Sequence, residues 1–247
     1  MSPHTVFPVT IIALYACAWS GAALQKRLAL RGEQVHDDLG VVLAATLTLL
    51  GLIIGFTFSM ATTRYDMRKN YEEAEANAIG TEYLRAELLP EAQAARTKTL
   101  LRDYVTQRIL FYRTDAPRSL DEIGARTAEL QTQLWEAVRG QAAVSPTPIT
   151  ALALAGMNDV INSQGYTQAA WWNRIPVEAW ALMGLIAILC NLMLGFMTGS
   201  EKSRAFLGIL PLVTAIAFFL IADIDSPRSG LIHIVPQNLR ALATTMR

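Results

Sequence analysis

LGVVLAATLTLLGLIIGFTFSM, Leu39 to Met60, runs straight into ATTRYDMRKNYEEAEANA, Ala61 to Ala78. The first stretch carries no charged side chain, the second carries many, and no Gly or Pro interrupts Ala61 to Ala78. A bilayer core of about 30 Å needs roughly 20 apolar residues in a helix. The pair therefore reads as a membrane span and the same helix continuing into water. The spacing predicts one unbroken helix from about Leu39 past Arg68, on the order of 45 Å or more at 1.5 Å per residue. On that reading Glu72, Glu73 and Glu75 form a solvated face, with Arg68 and Lys69 as the i, i+4 partners of Glu72 and Glu73.

Three more stretches are as apolar: Phe7 to Leu24, Val177 to Thr198 and Ala205 to Ala222. Four such runs in 247 residues are hard to bury in a soluble core. The whole chain is 52% hydrophobic and 17% charged, against roughly 25% charged in an average soluble domain. Lys+Arg and Asp+Glu are both 21, so the basic excess of a nucleic-acid binder is missing. The hydrophobicity also excludes a disordered chain. The opening MSPHTV has no basic residue, so the first apolar run is read as a retained span rather than a signal peptide. Cys17 and Cys190 both fall inside apolar runs. They are expected to pack as small apolar side chains, with no disulfide framework.

The expected organisation is all-α: a polytopic membrane protein with four transmembrane helices and a helical cytoplasmic layer. Residues 1–60 hold transmembrane helices 1 and 2, and 61–176 a helical extramembrane region. Residues 177–222 hold helices 3 and 4, and 223–247 a tail. Within the middle region Pro90 marks a boundary, and a helix to about Tyr112 places Leu101, Tyr104, Val105 and Ile109 on one face. TDAPRS makes a turn, and Ser119 with Glu122 suggests a capping box. Ile123, Leu130, Leu134 and Val138 form a stripe interrupted by Thr127. After SPTP a last helix presents Leu152, Met157, Val160 and Ile161. These faces suit packing within the chain or against neighbouring subunits. Trp171 and Trp172, just before the third span, are expected to anchor at the membrane interface.

Basic residues beside the spans barely set the orientation. Lys26, Arg27, Arg31, Lys202 and Arg204 lie on the short-loop side. Arg64, Arg68, Lys69, Arg174, Arg228 and Arg240 lie on the other. This slightly favours a cytoplasmic middle region and cytoplasmic termini in the cell (inner) membrane.

Catalytic chemistry has no foothold. His4, His36 and His233 are scattered, and there is no HExxH, GxSxG, GxxxxGK[ST] or GxGxxG. No catalytic residue, metal ligand or cofactor is expected, and an enzyme has no support. The span interiors hold no charged side chain; Asn191 is the strongly polar group well inside, joined by Thr46, Thr48, Thr57, Ser59 and Thr214. Ion-coupled transporters usually keep charged residues and broken helices there, so a passive pore fits better.

LIIGFTFSMATTRYDMRKNYEEAEANAIG, Leu52 to Gly80, resembles the bacterial bestrophin-like family and, more distantly, the bestrophin channels. The resemblance lies in Gly55-Phe56 followed eight residues later by Arg64-Tyr65, and in DIDSPRSG, Asp223 to Gly230, after the fourth span. It implies four spans, a helical cytoplasmic layer and a homopentamer around a central pore for small inorganic ions. It implies passive anion conduction, although some bacterial members pass cations. Asp223 and Asp225 are a shorter acidic run than calcium-responsive bestrophins carry, and the extramembrane part is smaller, so calcium gating is not implied. Gly55, Arg64, Tyr65, Asp223, Asp225 and Pro227 become a structural junction. Arg64 suits an interface anchor or a pairing with Asp223 or Asp225.

Counted back from Gly55-Phe56, the positions Thr48, Leu52 and Phe56 resemble those that line the bestrophin neck. At i, i+4, i+8 they share a helix face, with Ser59 and Thr63 near its exit end. A face of this kind also suits lipid or another helix. The leading expectation is an oligomeric channel or channel-like pore whose neck is lined by the second span. Its partners would be the lipid bilayer, further copies of the chain and ions, but no nucleic acid. The alternative is a non-conducting membrane scaffold or regulatory subunit whose helical layer binds a partner.

Overall fold

A computed structural model describes residues 3–28, 33–198 and 206–246. Arg31, Lys202 and Arg204, which entered the orientation count, and Ala205, the expected start of the fourth span, lie outside the described residues. Among the described residues the chain is all-α. The elements are α1 (Pro3–Leu28), α2 (Glu33–Arg85), α3 (Glu91–Arg113), α4 (Pro117–Val144), α5 (Pro148–Trp172), α6 (Val177–Met197), α7 (Ile209–Asp225) and α8 (Gln237–Thr245), with a 3-10 turn over Ala86–Leu88.

The unbroken helix expected past Arg68 is present and longer than required. α2 has 53 residues, about 80 Å at 1.5 Å per residue, and Gly80 lies within it. Its buried positions make one seam: Leu43, Leu50, Thr57, Ala61, Arg68, Glu72, Glu75, Ile79 and Glu82. These steps of seven, four and three residues keep to one helix face. Among the described residues three helices are long and apolar enough to cross a membrane: those beginning at Pro3, at Asp38 within α2, and the stretch ending at Met197. α7 is as apolar but has 17 residues, about 26 Å, at the lower limit for a span.

The chain divides into two compact units, residues 1–64 with 174–232 and residues 65–173 with 233–247. In the first, α1 packs on α6 and α7 around Leu14, Met183, Ala187, Cys190, Phe218 and Ile221. Cys190 is buried there as a free thiol, and Cys17 is half-buried. Asn191 is buried too and donates Nδ2–H to the Ala187 carbonyl at 2.7 Å. The α1–α6 crossing depends on two missing side chains. A Cβ on Gly21 would overlap the Leu192 carbonyl, and one on Gly195 the Ala18 carbonyl. Small residues let backbones approach this closely where no hydrophobic effect drives helices together. Gly195→Leu would push against backbone rather than a flexible side chain. It is expected to cost about 3 kcal/mol or more. Gly140→Ala, on α4 where nothing lies within 4 Å of the new methyl, should be neutral or stabilise by up to about 1 kcal/mol. Thermal unfolding of the two variants in detergent checks the contrast, and equal midpoints would contradict it.

The second unit packs the outer half of α2 with α3, α4, α5 and α8 around Ile79, Leu101, Tyr104, Leu130, Leu134, Met157, Val160 and Leu239. The apolar stripes of the middle region are thus buried within the chain. Thr127 does not break its stripe, because its hydroxyl donates to the Ile123 carbonyl one turn back. Leu152 departs from the expected pattern and is exposed. The expected Ser119–Glu122 capping box is absent: α4 starts three residues earlier, with Pro117 in its first turn and Ala116 as N-cap. Proline's fixed φ starts that helix without a side-chain cap. A capping box does open α5, formed by Thr147 and Thr150. Trp171 is also a correction. It is buried and packs its ring against Phe111 and Tyr112, with centroids 5.0 and 5.4 Å away. Trp172 is the exposed member of the pair.

Candidate functional site

Opposite its buried seam, α2 presents a face that nothing among the described residues covers. Thr48, Leu52, Gly55, Phe56, Ser59 and Thr63 are all exposed, Leu52 at 53% and Phe56 at 66%. Both threonine hydroxyls on this face are satisfied locally. Thr48 donates to the Ala44 carbonyl at 2.8 Å and Thr63 to the Ser59 carbonyl at 2.9 Å. A hydroxyl paired this way sits in an apolar setting at little cost, yet keeps lone pairs that accept from water. The face alternates apolar bulk with such hydroxyls. A Cβ on Gly55 would meet nothing within 4 Å, so the glycine leaves a gap in that surface beside Phe56.

The acids at the end of α7 accept from backbone N–H groups. Asp223 accepts from the N–H groups of Leu231 and Ile232 at 2.7 and 2.9 Å, which folds the chain after α7 back onto its own end. A Cβ on Gly230 would overlap the Asp223 carboxylate, so this turn needs its glycine. Asp225 accepts from the Ile175 N–H, 3.2 Å from Oδ2, and so ties the start of α6 to the end of α7. Both acids and Pro227 are buried. Arg64 is half-buried, with Nη2 3.5 Å from the Met60 sulfur. Tyr65 packs at the edge of the other unit's core.

The carboxylates of α2 overturn the expectation of a solvated face. Glu73 is exposed, but Glu72 and Glu75 are buried. Glu72 accepts from the Leu239 N–H at 2.9 Å and Asn238 Nδ2–H at 2.7 Å. It thereby caps α8, which has no side-chain cap of its own, and places negative charge at a helix N-terminus. Arg68 is also buried. It donates to the Ala170 and Asn173 carbonyls, each at 3.1 Å, where α5 ends and its carbonyls lack intrahelical partners. Glu75 forms an ion pair with Arg108 of α3 and accepts from Thr167 of α5 at 3.1 Å and Tyr112 at 3.4 Å. Burial works against the Arg108 charge, but the charge and hydrogen bonds of Glu75 outweigh it and raise the guanidinium above its usual range. Burial, then the Glu75 charge, pushes the hydroxyls of Tyr104 and Tyr112 far up. The group is a buried, hydrogen-bonded ion pair linking α2, α3 and α5. Arg108, Thr167 and Tyr112 all donate to Glu75, which suits holding helices together rather than chemistry.

The bestrophin-like domain model matches residues 12–239, from within α1 to within α8. The chain belongs to the bestrophin-like family. Its fold is that of solved bacterial relatives. A bestrophin homologue from Klebsiella pneumoniae is 13% identical, with a TM-score of 0.64 over 98% of this chain and 94% of that one. A W252A variant of the bestrophin homologue from that organism is 15% identical, with a TM-score of 0.63 over 96% and 93%. No curated protein matches the chain.

Within this bestrophin-like chain, the residues quoted for the resemblance lie on α2 and directly after α7. Sequence reasoning missed the residues that hold the helical layer. A signal for them was available: Arg68, Glu72, Glu75, Ile79 and Glu82 continue at spacings of four and three residues. A charged residue in register with an apolar seam points inward, however acidic its neighbours are.

Proposed function

We propose that this bestrophin-like chain is a passive ion pore, assembled from identical copies around α2. The observation that carries the reading is the face Thr48, Leu52, Phe56 and Ser59. It is exposed in the single chain, while the opposite face of the same helix is buried. In a ring, Leu52 and Phe56 make stacked apolar collars that gate by wetting, with Thr48 and Ser59 as hydroxyl rings on either side. No charge lies along Leu39 to Met60, so the neck offers no titratable stop for a coupled proton or ion. Anions as the conducted species, and five copies in the ring, follow from the family likeness.

In this reading α1, α2, α6 and α7 are the four spans, in the inner membrane. The layer built on Glu72, Glu75 and Arg108 is cytoplasmic with both termini. The exposed apolar residues Val9, Ile12, Trp19, Leu185 and Ile188 then face lipid or neighbouring copies. Halide efflux from liposomes carrying the purified protein tests the proposal. Efflux above protein-free liposomes is expected, and none from a correctly assembled ring would favour the scaffold.

A further inference from the structure

Glu82 is the one carboxylate of the α2 seam that the helix-holding network does not use. Its side chain is 0% exposed, and neither oxygen has a hydrogen-bond partner. The charges that act on it are Arg85, one turn on along α2, and Asp159 of α5. Arg85 Nη1 lies 3.9 Å from Glu82 Oε2, beyond hydrogen-bond range, and its side chain is partly in solvent. The seat is specific. Gly156 of α5 faces it, and a Cβ there would overlap both Glu82 Oε2 and Arg85 Nη1. The glycine leaves the ends of both side chains room to lie against α5.

A carboxylate with two buried oxygens and no donor is among the costliest groups to enclose. The neutral acid is far cheaper to bury, although its O–H is unpaired too. We infer that Glu82 is a proton-binding site at the α2–α5 contact, occupied when the contact is closed and emptied to water when the contact loosens. Burial, only partly opposed by Arg85 and reinforced by Asp159, pushes the carboxyl up to about 8. The proton therefore leaves in mildly alkaline solution, and the charge left behind destabilises the seat over Gly156. Helix α2 is continuous from this site to Thr48, so loosening here bears on the helix of the proposed neck. The proton site itself does not depend on conduction.

The sign follows from linkage. The folded carboxyl titrates above the unfolded one, so its contribution is fully present below the unfolded value of 4.5. It falls as pH rises towards the folded value and then levels off. Between those limits each pH unit should cost the wild type about tenfold in its folding equilibrium relative to Glu82→Gln. Infrared difference spectra between pH 6.5 and 9.5 give a direct reading that does not rely on unfolding. The wild type should lose a protonated-carboxyl band that Glu82→Gln lacks. Asp159→Asn should move the midpoint of that loss to lower pH, and Arg85→Gln to higher pH. A wild-type protein without the band, a band that survives in Glu82→Gln, or a midpoint indifferent to both charge changes would overturn the assignment.

Discussion

Glu75→Ala is expected to lower the thermal midpoint by roughly 10 °C or more. The single change leaves the buried Arg108 guanidinium without its counter-charge. It also removes the acceptor for Thr167 and Tyr112. Breaking one side of a buried ion pair costs about 3–5 kcal/mol, and a chain of this size loses roughly 2–4 °C per kcal/mol. Arg108→Ala should cost a similar amount, since it strands the carboxylate. The double variant Glu75→Leu/Arg108→Leu should recover much of the loss, because an apolar pair of similar volume does not pay for desolvating two charges. Midpoints of the three variants in one detergent check this. Singles as stable as the parent, or a double as poor as the sum of the singles, would show that the pair does not hold α2 to α3.

The other large effect is on conduction. Leu52→Ala/Phe56→Ala should raise halide flux several-fold in liposomes and single-channel conductance in planar bilayers. Two apolar collars pass ions only when wide enough to hold water, and truncating both widens the constriction that each copy contributes. Val42→Ala is the control: that residue is exposed too but lies off the Thr48–Leu52–Phe56 stripe. Currents altered equally by Val42→Ala would move the neck elsewhere on the helix. Currents absent from both the parent and the double variant would turn the reading towards the scaffold.

Helix α2 was legible because two features agree over a long stretch: an apolar run of span length, and no helix breaker after it. The stripe Ile123, Leu130, Leu134 and Val138 was legible for the same reason, as periodicity needs no tertiary knowledge. What stayed hidden was the partner of each charge. Glu72 and Glu75 read as solvated because they stand in an acidic cluster with Glu73, and Arg68 and Lys69 stand four residues before Glu72 and Glu73, a pattern common on surfaces. Their real partners, Leu239 and Arg108, are 167 and 33 residues away, and no local pattern pairs residues at such separations. Trp171 was misplaced for a related reason. Its position before a span suggests the interface, yet the aromatic residues that claim it, Phe111 and Tyr112, come from α3. The α1–α6 crossing was equally hidden, because Gly21 and Gly195 look ordinary until the facing carbonyls are known.

The central claim is that copies of this chain meet around the exposed face of α2. Electron cryo-microscopy of the detergent-purified oligomer measures that most directly. The expected result is a closed symmetric ring in which Thr48, Leu52 and Phe56 of every copy line the axis and the Leu43–Leu50–Thr57 seam faces away from it. A monomer or dimer, or a ring with Leu52 and Phe56 turned out to the detergent, would contradict it.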